Sequence, residues 1–120
     1  MEVNTVLVVD DSATDLHLLS GYLENNGYTT LSATSGEEAL QKASAEHPDL
    51  ILMDVVMPGM NGFEAVRSLS RNPETQNIPV IVVTSKNQET DKIWAMRQGA
   101  KDFVSKPVDE KTLIGMIRNL

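Results

Sequence analysis

Five times along the chain a short apolar run gives way to a longer stretch with helical spacing, and this alternation limits the fold more than any other feature. The short runs are "TVLVV" at 5–9, "YTTLSA" at 28–33, "LILM" at 50–53, "PVIVVT" at 79–84 and "DFVS" at 102–105. They are β-branched or continuously apolar, as buried strands are. Between them the apolar residues recur three or four apart, as one helical face requires. Leu16, Leu19, Tyr22 and Leu23 share such a face, as do Ala39, Leu40 and Ala43, then Phe63, Val66 and Leu69, and finally Leu113, Ile114 and Ile117. A fourth helix is expected over 89–99, with Gly99 ending it.

Punctuation agrees with this order. Ser12 with Asp15, Ser35 with Glu38, and Asn61 with Glu64 have the spacing of helix starts, and Asp109 caps the last helix. Asn26-Gly27 stops the first helix, Pro48 ends the connection before the third strand, and "NPETQN" at 72–77 is a polar loop. "LILM" has no polar face, so it should be covered on both sides. "YTTLSA" is more polar and fits a sheet edge.

Strand–helix alternation of this kind gives an α/β fold, a five-stranded parallel sheet with right-handed crossovers and five helices on its two faces. No linker or low-complexity segment interrupts it, and 120 residues suit one core, so residues 1–120 are expected to form one domain. In such sheets ligands bind outside the carboxyl ends of the strands.

Charge and composition remove several functions. The formal net charge is −7, which disfavours direct contact with nucleic acid or an anionic membrane surface. There is no cysteine, so disulfides, thiolate catalysis and cysteine-based metal sites are excluded. "MEVNT" lacks a basic leader and no apolar run is long enough to span a bilayer, so the expected location is the cytoplasm.

The chemistry-bearing residues gather where the fold predicts a ligand. The first strand ends in Asp10-Asp11, the third in Asp54, the fourth in Thr84-Ser85, and Lys106-Pro107 follows the fifth. If these strands are neighbours, the side chains converge on one shallow pocket. A carboxylate after a run as greasy as "LILM" is costly to desolvate, and Asp54 is tolerable because that strand end opens on the functional edge. Three carboxylates together repel one another unless a cation is present. Oxygen-only ligands suit Mg²⁺ or Mn²⁺. Lys106 and Thr84 are donors that can hold an anion, and the whole set suits a phosphoryl group on one aspartate.

"LVVDDS", "LILMDVVMPGMNGFE", "IPVIVVTS" and "GAKDFVSKPVD" together resemble a response-regulator receiver domain. The resemblance covers essentially the whole chain, with its landmarks in order at four strand ends. "VTSKNQETDKIWAMRQGAKDFVSKPVDE" is similar to the PilH-like subgroup of chemotaxis-like, single-domain regulators in twitching or phototaxis systems.

The resemblance implies a doubly wound, flavodoxin-like sheet of order 2-1-3-4-5. It implies that Asp54 accepts a phosphoryl group from a sensor histidine kinase. Asp11 and Asp54 would ligate Mg²⁺ with the backbone carbonyl of Val56, Asp10 would act through water, and Lys106 would pair with the phosphoryl oxygens. Thr84 and Phe103 would be the switch pair, and the Lys106–Pro107 bond would be cis. A target protein would be read by the face of the fourth helix, fifth strand and fifth helix, with the chain a monomer or weak dimer. The last helix runs to Leu120 and leaves no length for a further domain, so output is expected through protein binding or as a phosphate sink for a sister regulator. Val56, two residues after Asp54, and Lys86, two after Thr84, would flank the path of a hydrolytic water. Fast-decaying chemotaxis receivers resemble Asn and Glu there, so slow decay is expected.

Each residue also has a plainer reading. Asp10, Asp11 and Asp54 can cap turns, Lys106 can be solvated, and Thr84 can satisfy a strand end. Only their joint placement favours chemistry. His17 and His47 read as surface residues, Met57 and Met60 as packing for the loop after the third strand, Gly59 and Gly62 as turn residues, and Glu37, Glu38 and Glu46 as a solvated face. Trp94 reads equally as a half-buried helix residue or a recognition residue. Two other functions fit less well. An aspartate-nucleophile phosphatase needs a second acid where Val56 stands, and a flavin or nucleotide binder needs a phosphate loop where Asp10-Asp11-Ser12 offers negative charge.

Overall fold

The order of elements is β1 (Thr5–Val9), α1 (Ala13–Asn25), β2 (Thr29–Ala33), α2 (Gly36–Glu46), β3 (Leu50–Met53), α3 (Gly62–Arg71), β4 (Val80–Thr84), α4 (Glu89–Gln98), β5 (Asp102–Ser105) and α5 (Glu110–Arg118). They are taken from a computed structural model, which describes residues 2–56, 61–85 and 89–120. The readings given to Met57, Gly59, Met60 and Lys86 therefore lie outside the described residues.

All strand pairs are parallel, and the sheet order is β2-β1-β3-β4-β5. β3 is central and buried along its whole length, which is why "LILM" can be apolar on both faces. β2, with its exposed and half-buried residues, is one edge, and β5 is the other.

Strand periodicity divides the core in two. On one face Leu7, Val9, Ile51, Met53, Val80 and Val82 meet α2, α3 and α4. On the other Val6, Val8, Leu50, Leu52, Ile81 and Val83 meet α1 and α5. The helices differ in what they contribute. α5 buries Leu113, Ile114 and Ile117, whereas α4 buries only Ala95 and leaves Ile93, Trp94 and Met96 exposed.

The helix ends follow their capping residues. The side chains of Ser12, Ser35, Asn61 and Asp109 accept from the backbone N–H groups of Asp15, Glu38, Glu64 and Thr112. Glu38 departs from the usual reciprocal cap. Its carboxylate takes the N–H of Thr34 at 2.8 Å, one residue before the cap. Gly27 and Gly99 follow α1 and α4 with φ of 87° and 113°, a conformation in which glycine has no Cβ penalty. His47 does the same work after α2 with φ of 47°, where Gly or Asn would be the usual choice.

Gly62 corrects its reading as a turn residue. It is the first residue of α3, and what it supplies is space, since a Cβ there would lie 2.4 Å from the Cα of Val55. His17 and His47 are exposed, as expected. Among the described residues no helix is long and apolar enough to cross a membrane.

Candidate functional site

The sheet order brings the carboxyl ends of β1, β3, β4 and β5 side by side, and the ladder fixes the residues just beyond them. The N–H of Asp10 donates to the Ala33 carbonyl at 3.1 Å, and that of Asp54 to the Val9 carbonyl at 3.0 Å. The N–H of Lys106 donates to the Thr84 carbonyl at 2.9 Å. The backbones of Asp10, Asp54 and Lys106 are thus each held by a neighbouring strand.

Carboxylate oxygens of Asp10, Asp11 and Asp54 lie within 4.8 Å of one another. Asp10 and Asp54 are buried and Asp11 is exposed, so the cluster opens to solvent on one side. The Lys106 ammonium enters from β5. It stands 2.7 Å from Asp10 Oδ2, 2.9 Å from Asp15 Oδ2 and 3.6 Å from Asp54 Oδ2. The other oxygens of the two buried acids take backbone donors. Ser12 N–H donates to Asp10 Oδ1 at 2.9 Å and Val56 N–H to Asp54 Oδ1 at 3.1 Å.

This arrangement is electrostatically loaded. Burial pushes the Asp54 carboxyl up, and the charges of Asp10 and Asp11 push it further. The Val56 N–H and the Lys106 ammonium oppose the rise without cancelling it. Burial pulls Lys106 down, but its hydrogen bonds to Asp10 and Asp15 and the charge of Asp54 outweigh burial, and the ammonium is held above the ordinary lysine range. Carboxylates in excess of local cations, with one buried acid bearing the strain, form a set of hard oxygen donors that a divalent ion would relieve.

Thr84 ends β4 and is fully buried. Phe103 pairs in register with Val82, and Ser105 with Thr84, so Phe103 and Thr84 face the same side of the sheet. Phe103 is partly buried against the core under α2, α3 and α4. Val56 directs its N–H at Asp54 while the residue is 49% exposed. Trp94 is 50% exposed on α4. The Lys106–Pro107 bond is cis.

A family model for the response regulator receiver domain matches residues 6–118. The chain belongs to the receiver family. As a receiver it is 52% identical to the protein PilH of Pseudomonas aeruginosa over 112 residues, covering 93% of each chain. It is 40% identical to the response regulator PleD of Caulobacter vibrioides over 115 residues, but spans only 25% of that protein. Among solved structures, the Vibrio cholerae chemotaxis protein CheY4 superposes on this receiver with a TM-score of 0.91 at 31% identity, over 98% of both chains. A receiver domain protein from Methanospirillum hungatei gives 0.90 at 26% identity.

Two residues of the receiver's site carried no functional reading in the sequence. Asp15 reads as a helix-start residue, yet its carboxylate reaches Lys106, 91 positions away. Its place in the first turn of α1, just after Asp10-Asp11, was the available signal. Gly62 presses on the residue that bears the site, because a Cβ there would fall 2.2 Å from the Asp54 carbonyl oxygen.

Proposed function

We propose that the domain, over residues 1–120, is a phosphorylation-driven protein switch in which Asp54 is the acceptor. The observation that carries this reading is the convergence of three carboxylates within 4.8 Å, with the Lys106 ammonium against them, at the carboxyl edge of a parallel sheet. The phosphoryl donor is a phosphohistidine of a sensor kinase. An Asp54 carboxylate oxygen attacks phosphorus in line, the new O–P bond forms as the P–N bond breaks, and the departing electron pair stays on the histidine nitrogen.

Asp11, Asp54 and the Val56 carbonyl would hold Mg²⁺ directly and Asp10 through water, a set of oxygen donors suited to that ion. The ion supplies positive charge that offsets the repulsion between the acids and an incoming phosphoryl group. Lys106 binds the phosphoryl oxygens, as a mobile ammonium can. Thr84 hydrogen-bonds the phosphoryl group and Phe103 repacks behind it, which shifts a two-state equilibrium. The face formed by α4, β5 and α5 then changes its affinity for a target protein. The receiver-family match and the similarity to PilH support a role in motility signalling. In this reading the domain acts in the cytoplasm and its chemistry is confined to its own aspartate.

Intact mass after incubation with a small phosphodonor and Mg²⁺ tests the acceptor. The wild type should gain one phosphoryl group, lost in base and kept in acid, and Asp54→Asn should gain none. An equal gain in the variant would remove Asp54 from this role.

A further inference from the structure

Lys106 is bonded to a carboxylate that has no place among the three clustered acids. Its Nζ is within hydrogen-bond distance of Asp10, at 2.7 Å, and of Asp15, at 2.9 Å, while Asp54 at 3.6 Å is only an ion-pair contact. An ammonium has three donor protons. Two are committed to Asp10 and Asp15, and the residue that would carry the phosphoryl group has the weakest hold on the cation.

The two stronger partners are not equivalent. Asp10 belongs to the cluster whose oxygens lie within 4.8 Å of one another, so a cation entering the cluster weakens its claim on Lys106. Asp15 stands outside the cluster, on the first turn of α1, and its charge is not offset in that way. Among the described residues Lys106 is the cation paired with it. Asp15 is 38% exposed in its side chain and Lys106 18%, so solvent screens the pair only in part.

We propose that Asp15 is a positioning residue that restrains Lys106 from Asp54 and so sets how readily the phosphorylated state forms. This rests on the acceptor reading above. An anion on Asp54 must draw the ammonium from Asp15, and the free energy of that exchange is subtracted from phosphoryl binding. Removing the Asp15 charge frees Lys106 in advance. The plainer role of Asp15 is local, since an acid in the first turn suits the helix dipole. That role predicts a change in melting temperature without any dependence on Lys106.

A double-mutant cycle separates the two roles. The four proteins are wild type, Asp15→Asn, Lys106→Met and the double variant, each checked for folding by circular dichroism and thermal melting. The probe is beryllofluoride with saturating Mg²⁺, a tetrahedral anion that binds a carboxylate as a phosphoryl group does. Titration calorimetry should show Asp15→Asn binding it about three- to thirtyfold more tightly than wild type. In the Lys106→Met background the same substitution should change affinity by less than about twofold. Asp15→Glu, which keeps the charge, should restore wild-type affinity.

Mg²⁺ affinity, measured without beryllofluoride, supplies a second cycle. The released ammonium competes with the ion, so Asp15→Asn should weaken Mg²⁺ more when Lys106 is present than when it is replaced. If both cycles are additive, Asp15 acts only as a surface charge and the proposal is overturned. If wild type fails to bind beryllofluoride at all, the acceptor reading fails, and the Mg²⁺ cycle alone decides the role of Asp15.

Discussion

Gly62 packs against Asp54 so closely that a methyl group on its Cα would sit 2.2 Å from the Asp54 carbonyl oxygen. The backbone of the central acid and the start of α3 are in effect one unit, tied further by the Gly62 N–H to the Val55 carbonyl at 3.3 Å. Gly62→Ala must push the helix or the aspartate aside. The expected cost is about 1–3 kcal/mol, typical of overpacking a tight contact. Mg²⁺ affinity should fall with it. A urea midpoint and a Mg²⁺ titration that both match wild type would show that the loop yields freely.

Asp54 should destabilise the fold at neutral pH. Its pKa in the folded chain is raised, with burial the largest cause, so the folded state binds its proton more tightly than the unfolded chain does. The associated stability is present below the unfolded carboxyl range and is lost as pH rises through the folded pKa. Without divalent metal, Asp54→Asn should therefore melt higher than wild type near neutrality by a few degrees, the size of a change of about 1 kcal/mol in a domain of this length. The gap should close on acidification. Mg²⁺ should stabilise wild type more than the variant. A variant that melts lower than wild type across this range would contradict the sign.

The lifetime of an acyl phosphate on Asp54 should depend on Val56. Its N–H is bound to Asp54 while its side chain stands half in solvent, where it can cover the approach of water but cannot orient it. Val56→Asn should speed decay by about tenfold, less than the roughly 10²–10⁴-fold of a true general base, because an amide can orient the water but cannot take its proton. Combined with Lys86→Glu the decay should be faster still. Decay followed by intact mass after the phosphodonor is removed, at fixed Mg²⁺, settles it, and unchanged decay would release both positions from this role.

Thr84→Ala and Phe103→Ala should separate phosphorylation from response. Neither side chain supplies the attacking oxygen, and both face the core under α2, α3 and α4. Each variant should still gain a phosphoryl group. The beryllofluoride-induced shifts of amide resonances in α4, β5 and α5 should shrink to less than about half, as expected when a residue coupling two states is removed. Full-sized shifts in either variant would exclude that residue from the switch.

Much of this is legible in the sequence because strand and helix periods differ so clearly. "LILM" could only be a strand buried on both faces, and the acids at 10, 11 and 54 follow strands and so had to share one edge. Capping residues located the helix starts because one side chain and one nearby N–H make the bond. The strand order and the cis bond at Lys106–Pro107 came only through the family resemblance. Asp15 does start α1 as its spacing with Ser12 indicates, but its bond to Lys106 is not legible in the sequence, because that partner is 91 residues distant and no local pattern carries that distance. Gly62 was misjudged because glycine in a turn and glycine at a tight backbone contact look alike in a sequence. His47 is a surface histidine in both readings, but its left-handed backbone at the end of α2 is not announced by a residue type that would normally be Gly or Asn.

The sheet that divides the core also limits how far a substitution is felt. Val6 and Val8 answer to α1 and α5, while Leu7 and Val9, one step along the same strand, answer to α2, α3 and α4. Residues separated by a layer of backbone share no packing partner, so their effects on stability should add rather than interact. Leu113→Ala and Leu69→Ala, for instance, should lower stability by amounts that simply sum. In evolutionary terms the chain carries two nearly independent packing puzzles joined at five strands. One layer can be repacked while the other, which holds Phe103, keeps its own contacts.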